Sequence, residues 1–307
     1  MYAVAGIVLA SLPPQLSSYG LTLMTKILIF SIVAISLDLL VGYAGLPSIG
    51  HAMFFGAGAY TVAMLVIHAG VHSFWLLTAA GILAAGLLAI LFGILALRAT
   101  ATYFLMLTLA LNQVFWAIIW SGRTVTGGDD GLAGIPRIVP ELLWSLSYDT
   151  YFCYFVLAVL FICLFLLRMI VNSPFGNALV GIRENEFRMV ALGYNTWLYK
   201  YIAWIVAALF AGLGGTLHVY YYGYIGHADV HWFASGTLLF MVLVGGAGTL
   251  WGSVIGAGIT ALLQSLVSAY TERWAIVLGI VYIFVIVFLR AGIANYLIER
   301  TEGIWKS

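Results

Sequence analysis

The chain predicts an all-α integral membrane fold, a single permease-like bundle over 1–307 with about ten transmembrane segments, and three observations carry that expectation. Hydrophobic residues make up 64% of the 307 and charged residues 7%, with a mean hydropathy of +1.10. Soluble domains hold roughly 25% charged residues because a folded surface must be hydrated, whereas a bundle in lipid keeps charge at its ends and along its aqueous path. The apolar residues fall into runs near the length of about 20 that crosses a ~30 Å hydrocarbon layer. Finally, 34 glycines cluster where helices touch or break.

In chain order the expected segments cover 2–14, 20–42, 51–69, 73–98, 100–121, 150–172, 198–222, 233–250, 252–270 and 273–290. The first carries no basic flank ahead of Pro13 and Pro14, so it reads as a short span rather than a cleaved signal peptide. With both termini on the cytoplasmic side, Arg98, Arg168, Arg183, Arg188, Lys200, Arg290, Arg300 and Lys306 lie inside. Lys26, Arg123, Arg137 and Arg273 then lie outside, the asymmetry expected of cytoplasmic retention of basic loops. A net charge of +1 with scattered basic residues gives no phosphate-tracking surface, so no nucleic-acid partner is expected, and the lipid bilayer is the expected surrounding partner. Cys153 and Cys163 stand ten apart in an apolar run, about 80° from each other on a helix, and read as small buried thiols.

Two loops interrupt the apolar run. The outer one, 121–150, gathers glycine, proline and acid, including Thr126, Gly127, Gly128 and Asp129. The inner one, 173–197, opens with Ser173 and Pro174, a cap and first-turn proline for a short amphipathic helix. Its Arg183, Glu184, Asn185, Glu186 and Arg188 make it unusually polar for this chain, either as a solvated linker or as a docking segment.

The stretches GYAGLPSIG (42–50) and GGAGTLWGS (245–253) are too rich in Gly, Pro and Ser to stay helical. Unwound backbone at membrane depth survives only inside protein or along a wet cavity, so these are expected re-entrant or broken segments. Gly42, Tyr43, Gly45, Gly245 and Gly248 are therefore path candidates, and the two stretches echo each other. Asp38 is the one acid well inside an expected span, placed either toward a polar interior or capping the cytoplasmic end. Asn112 and Gln113 either line the path or bond across helices, and His51, beside a span, reads as a packing histidine rather than a metal ligand and is a further path candidate.

No catalytic constellation is present. His68 with His72, and His227 with His231, have i, i+4 spacing, but both pairs fall in outer loops without an assured third ligand, so no metal site is expected. The three lysines follow Thr25, Tyr199 and Trp305, which excludes a P-loop in this chain. A gradient-driven carrier would need buried carboxylates or cation sites, and Asp38 alone is thin support. Energy is therefore expected from a separate subunit that docks on the charged inner loop.

The segments SLDLLVGYAGLPSIGHAMFFGAGAYT, TGGDDGLAGIP, GIRENEFRMVALGYNTWLYKYIAWIVAALFAGLGGTL and LLFMVLVGGAGTLWGSVIGAGI together resemble the LivM-type permeases of branched-chain amino-acid ABC transporters. The likeness covers nearly the whole chain in order. It implies a bacterial inner-membrane importer in which this subunit pairs with a LivH-type permease, two cytoplasmic ATPases and an extracytoplasmic binding protein. It also implies that 173–197 is the coupling segment, with ATP and magnesium held by the ATPases and no cofactor on this chain. Two departures stand out: Asp38 where the family commonly has Asn, and Leu46-Pro47-Ser48 after Gly45. The resemblance makes branched-chain amino acids the first expectation, with urea, short amides or aromatic acids as alternatives.

Overall fold

The computed structural model describes residues 17–99, 101–139, 149–271 and 273–288, together with Pro13 and Gly292. The bundle begins with α1 (Ser18–Asp38), capped by Ser17, whose hydroxyl accepts the Gly20 N–H at 3.3 Å. α1 is apolar on all sides and is the central helix, with Leu28, Ile29, Ile32, Val33 and Ile35 fully buried. Helices α2 (Ala52–Ala69), α3 (Phe74–Ala96) and α4 (Ala101–Ser121) follow, then the single turn α5 (Arg123–Thr126) and the strand β1 (Leu132–Ala133). α6 (Asp149–Val171) returns across the bundle to the inner pair α7 (Pro174–Glu184) and α8 (Glu186–Ala191). α9 (Thr196–Tyr222), β2 (Tyr224–Ile225), α10 (Trp232–Gly245), α11 (Leu250–Tyr270) and α12 (Trp274–Phe288) complete the described chain.

Helices α2, α3 and α9 approach at backbone distance because glycines line their contacts. A Cβ on Gly58 would strike the Gly212 backbone, one on Gly212 would stand 2.5 Å from the Ala85 methyl, and one on Gly215 would strike the Phe55 carbonyl. In lipid, where no solvent force drives apolar helices together, such close van der Waals packing holds the bundle. Trp204 locks the inner end of this trio, donating from Nε1 to the Ala89 carbonyl at 3.1 Å with Phe54 and Phe104 packed edge-on at 5.0 and 5.6 Å. The outward faces of α3, α4 and α6 present Leu83, Leu87, Leu91, Met106, Ile118, Ile162 and Phe165 to the surroundings, as lipid-facing helices do.

Among the described residues seven helices are long and apolar enough to cross a membrane. The expected count of about ten is not reached by that measure, for identifiable reasons. The segment 2–14 lies outside the described residues apart from Pro13. The segment 233–250 divides at Gly245, so α10 has 14 residues, and the helix described within 273–290 has 15. Cys153 and Cys163 are free and buried.

The inner loop has the local structure its sequence predicts. Ser173 caps α7 by accepting the Gly176 N–H, Pro174 occupies the first turn, and Gly176, Ala178, Leu179 and Ile182 form its buried face. At Asn185 the chain turns extended (φ −158°, ψ 95°), and its side chain caps α8 through the Arg188 N–H at 2.9 Å. Arg98, Arg168, Arg183, Arg188 and Lys200 lie at this end of the bundle, and Arg123, Arg137 and Arg273 at the other.

Candidate functional site

Three sequence-distant stretches meet at the inner end. After Asp38 the helix ladder of α1 widens into a π-helical turn, Leu39–Tyr43, a deviation that recurs at functional positions. The chain leaves it through Gly45 at φ 67°, a backbone angle that suits glycine. On the other side α10, only about 21 Å long by its 14 residues, ends at Gly245, and the turn through Gly248 (φ 86°) leads into α11. The Gly248 N–H donates to Asp38 Oδ1 at 2.7 Å, tying the two broken ends together. Their backbones touch: a Cβ on Gly42 would overlap the Gly248 backbone and the Asp38 carboxylate.

The third contributor comes from the inner loop. From the last turn of α7, Arg183 donates through its guanidinium to the Gly42 carbonyl. Its stem runs along Gly45, whose added Cβ would stand 2.7 Å from Arg183 Cγ. Asp38 itself is wholly buried, and its Oδ2 has no hydrogen-bond partner. Besides the Gly248 amide, the Arg183 guanidinium acts on it electrostatically, and the buried Ser253 hydroxyl makes no hydrogen bond. A carboxylate so deep needs such compensation, since an unpaired ionised group in a low-dielectric interior costs several kcal/mol.

A second polar cluster lies one layer deeper. Ser36 donates to the Val33 carbonyl at 2.7 Å, so its oxygen accepts from His51 Nε2 at 2.8 Å. That assignment leaves His51 Nδ1 as a buried acceptor without a partner. Ser235 accepts the Ala52 N–H at 2.9 Å and faces Asn112 Oδ1 at 3.5 Å, while Asn112 Nδ2 donates to the Val230 carbonyl at 3.1 Å. Asn112 therefore bonds across helices, and the neighbouring Gln113 keeps a buried, unpartnered Oε1.

The outer loop residues stand at the opposite end. Thr126 closes α5 by donating to the Ile119 and Gly122 carbonyls, and Gly127 and Gly128 turn the chain at φ 75° and 58°. β1 pairs antiparallel with β2, with Leu132 opposite Ile225. The Asp129 carbonyl meets His227 Nδ1 at 3.2 Å, and the Asp129 carboxylate lies 3.7 Å from His227 Nε2. Desolvation in this hairpin, then His227, push the His231 pKa below its ordinary value. Desolvation with Asp229, Asp130 and Asp129 nearby raises that of Tyr224. No group of three or more His, Cys, Asp or Glu among the described residues is arranged to hold a metal.

The structure thus brings together Asp38, Gly42, Gly45, Gly248 and Arg183, with Gly245 packed beside them on the Gly252 backbone. Tyr43 belongs to the same π turn. Glu184 and Arg188 are exposed nearby, and Glu186 pairs with Lys200 at 2.6 Å. Ser36, Ser235 and Ser253 were not legible as site residues, because a serine inside an apolar run reads equally well as a helix-packing hydroxyl. Arg183 reads from sequence as a loop charge, and only the fold shows that it reaches the broken ends.

A bundle with seven helices long and apolar enough to cross a membrane, joined at a polar junction of helix ends, has the architecture of a multi-pass membrane protein. The family model described as "Branched-chain amino acid transport system / permease component" matches residues 19–287, and the chain belongs to that family. It is 27% identical to the high-affinity branched-chain amino acid transport system permease protein LivM of Escherichia coli (strain K12), covering 95% of this chain and 74% of that one. Similarity extends to the corresponding LivH of Salmonella typhimurium, at 24% identity over 86% of this chain and 90% of that one. The probable LivM permease of Methanocaldococcus jannaschii is 23% identical over 82% of each chain. No solved structure matches.

Proposed function

We propose that this chain is a permease subunit of an ATP-driven importer that carries branched-chain amino acids across the bacterial inner membrane. The observation that carries the reading is the family match over 19–287, joined by relatives on both the LivM and LivH sides. In the proposed assembly it pairs with a LivH-type permease, two cytoplasmic ATPases that hold ATP and magnesium, and an extracytoplasmic binding protein. The chain is a bundle of about ten membrane segments, not all of them full crossings, with both termini cytoplasmic, and 42–50 and 245–253 are its re-entrant joints. The short α10, whose 14 residues fall below the length of a full crossing, supports that layout.

The segment 173–197 is the coupling element, with Arg183, Glu184, Asn185, Glu186 and Arg188 facing the ATPases. Its surface supports this role. α8 has no buried residue, and Phe187 is 90% exposed with Val190 and Leu192 beside it. An apolar cluster that projects from a polar loop is the signature of a docking surface. ATP-driven closure of the ATPases moves this element, and Arg183 carries the displacement to Gly42 and, through Asp38, to Gly248. Solute passes beside Asp38, Tyr43, His51, Asn112 and Gln113, and the outer loop around Thr126–Asp129 meets the binding protein.

Reconstitution tests the reading. Vesicles that hold the four kinds of subunit should accumulate leucine only with ATP and binding protein. Uptake by this chain alone on an ion gradient would refute it, and transport of urea or short amides in place of leucine would reassign the cargo.

A further inference from the structure

A cavity of about 310 Å³ opens at the outer end of the bundle between α1, the last turn of α9 and α11. It is built rather than incidental, because its walls are cross-linked. The Tyr19 and Ser265 hydroxyls bond to each other across α1 and α11, and Tyr221 donates to Thr22 at 3.2 Å across α9 and α1. Lys26, in the third turn of α1, is the one charged side chain in its lining. Thr22, Tyr222, Gln264 and Ser268 supply neutral hydroxyl and amide groups, and Leu23 an apolar wall.

An ammonium group has three donors and no acceptor, so a lysine set inside a spanning helix requires an anionic or carbonyl oxygen. Among the described residues no carboxylate lies within ion-pair distance of Lys26, and Asp229 acts on it only from farther off. We propose that this cavity is a binding site for the carboxylate of an amino acid arriving from outside, with one oxygen on Lys26 and the other on the side-chain amide of Gln264, since the Thr22 and Ser268 hydroxyls donate to the Ser18 and Ser265 carbonyls. The volume is at the lower end of small-molecule sites, which suits a solute of this size. Neutral amides gain nothing from the ammonium, so the site selects for the acid. The proposal rests on the importer reading above.

The test uses the assembled transporter in membrane vesicles with Ser268→Cys, an exposed position, while the native Cys153 and Cys163 are buried. Labelling of the new thiol by a maleimide should slow about tenfold with saturating leucine, and equally with isovalerate, which keeps the carboxylate without the amine. Leucinamide, without the acid, should not protect. Adding Lys26→Met should abolish protection and raise the KM for leucine uptake, and Lys26→Arg should restore both in part. Equal protection by leucinamide, or none by leucine in vesicles that take leucine up, overturns the site. So does protection that appears without solute when phosphatidylglycerol replaces phosphatidylcholine and disappears in Lys26→Met, which would assign the cavity to a lipid phosphate. Isovalerate protection in a complex unable to import leucine would uphold the site and sink the importer reading.

Discussion

Arg183→Ala tests the transmission step directly. The variant removes the guanidinium from the Gly42 carbonyl and the stem from Gly45, and leaves Asp38 bonded to Gly248. A hydrogen bond from a charged donor contributes roughly 1.5–3 kcal/mol, and Arg183 is exposed, so at most the lower end applies. A loss of about 1.4 kcal/mol in the link between loop and broken ends corresponds to about a tenfold fall in coupling. The assay is the number of leucine molecules moved per ATP hydrolysed in vesicles holding the whole assembly, with thermal denaturation of the same sample as the folding control. The ratio should drop about tenfold while ATP hydrolysis continues. Arg183→Lys should fall between, since it keeps the charge but presents a shorter stem and no planar fork. An unchanged ratio in Arg183→Ala, with the complex intact, would refute the idea that this side chain transmits the stroke.

Gly42→Ala should destabilise by about 1–3 kcal/mol through overpacking on Gly248, Gly248→Ala by about 1–2 kcal/mol through its left-handed backbone, and Gly236→Ala, with open space around its Cβ, should be neutral in detergent denaturation. Asp38→Asn preserves the acceptor for the Gly248 N–H and should retain uptake, whereas Asp38→Ala orphans that amide and should cost about 1–3 kcal/mol in the same measurement. Phe187→Asp should weaken ATPase retention on co-purification without lowering the melting temperature, because the ring touches no core. His231 has a depressed folded pKa, so the unfolded hairpin binds the proton more readily. The stability it lends is complete above about 6.5 and is lost as the pH falls below that value, which amide exchange at the start of α10 should report and His231→Gln should abolish.

The long helices are legible because a lipid-buried span must be apolar over its whole length, so their ends fall where Pro, Gly and charge begin. The cap at Ser173 is an equally local signal, whereas the division of the inner segment at Asn185 is not read from the sequence. The division at Gly245 is legible as a breaker but not as a depth, since the apolar residues on either side read as one continuous run. The contacts of Asp38 are beyond sequence reasoning for another reason. Its partner amide is 210 residues away, and nothing in the local pattern distinguishes a carboxylate that ties two hairpins from one that caps a helix end. The same holds for Asn112, whose amide bonds to the Val230 carbonyl 118 residues on.

The echo between GYAG at 42–45 and GGAG at 245–248 has a physical consequence that repetition alone does not imply. Each stretch ends a helix and frees backbone groups, and where these are buried each needs a partner within the protein. Two of these groups find one: the amide of Gly248 is taken up by Asp38 at the base of the first break, and the carbonyl of Gly42 by Arg183 from the loop. With glycine on both sides no side chain separates the two backbones, so a displacement of one is felt by the other without slack. Arg183 thus contacts, at one end of the bundle, the point where two hairpins, α1 with α2 and α10 with α11, meet. Breaking the contact between the halves should then separate their motions: in Gly42→Ala with Arg183 intact, spin labels on α2 should still respond to nucleotide, whereas spin labels on α11 should not follow.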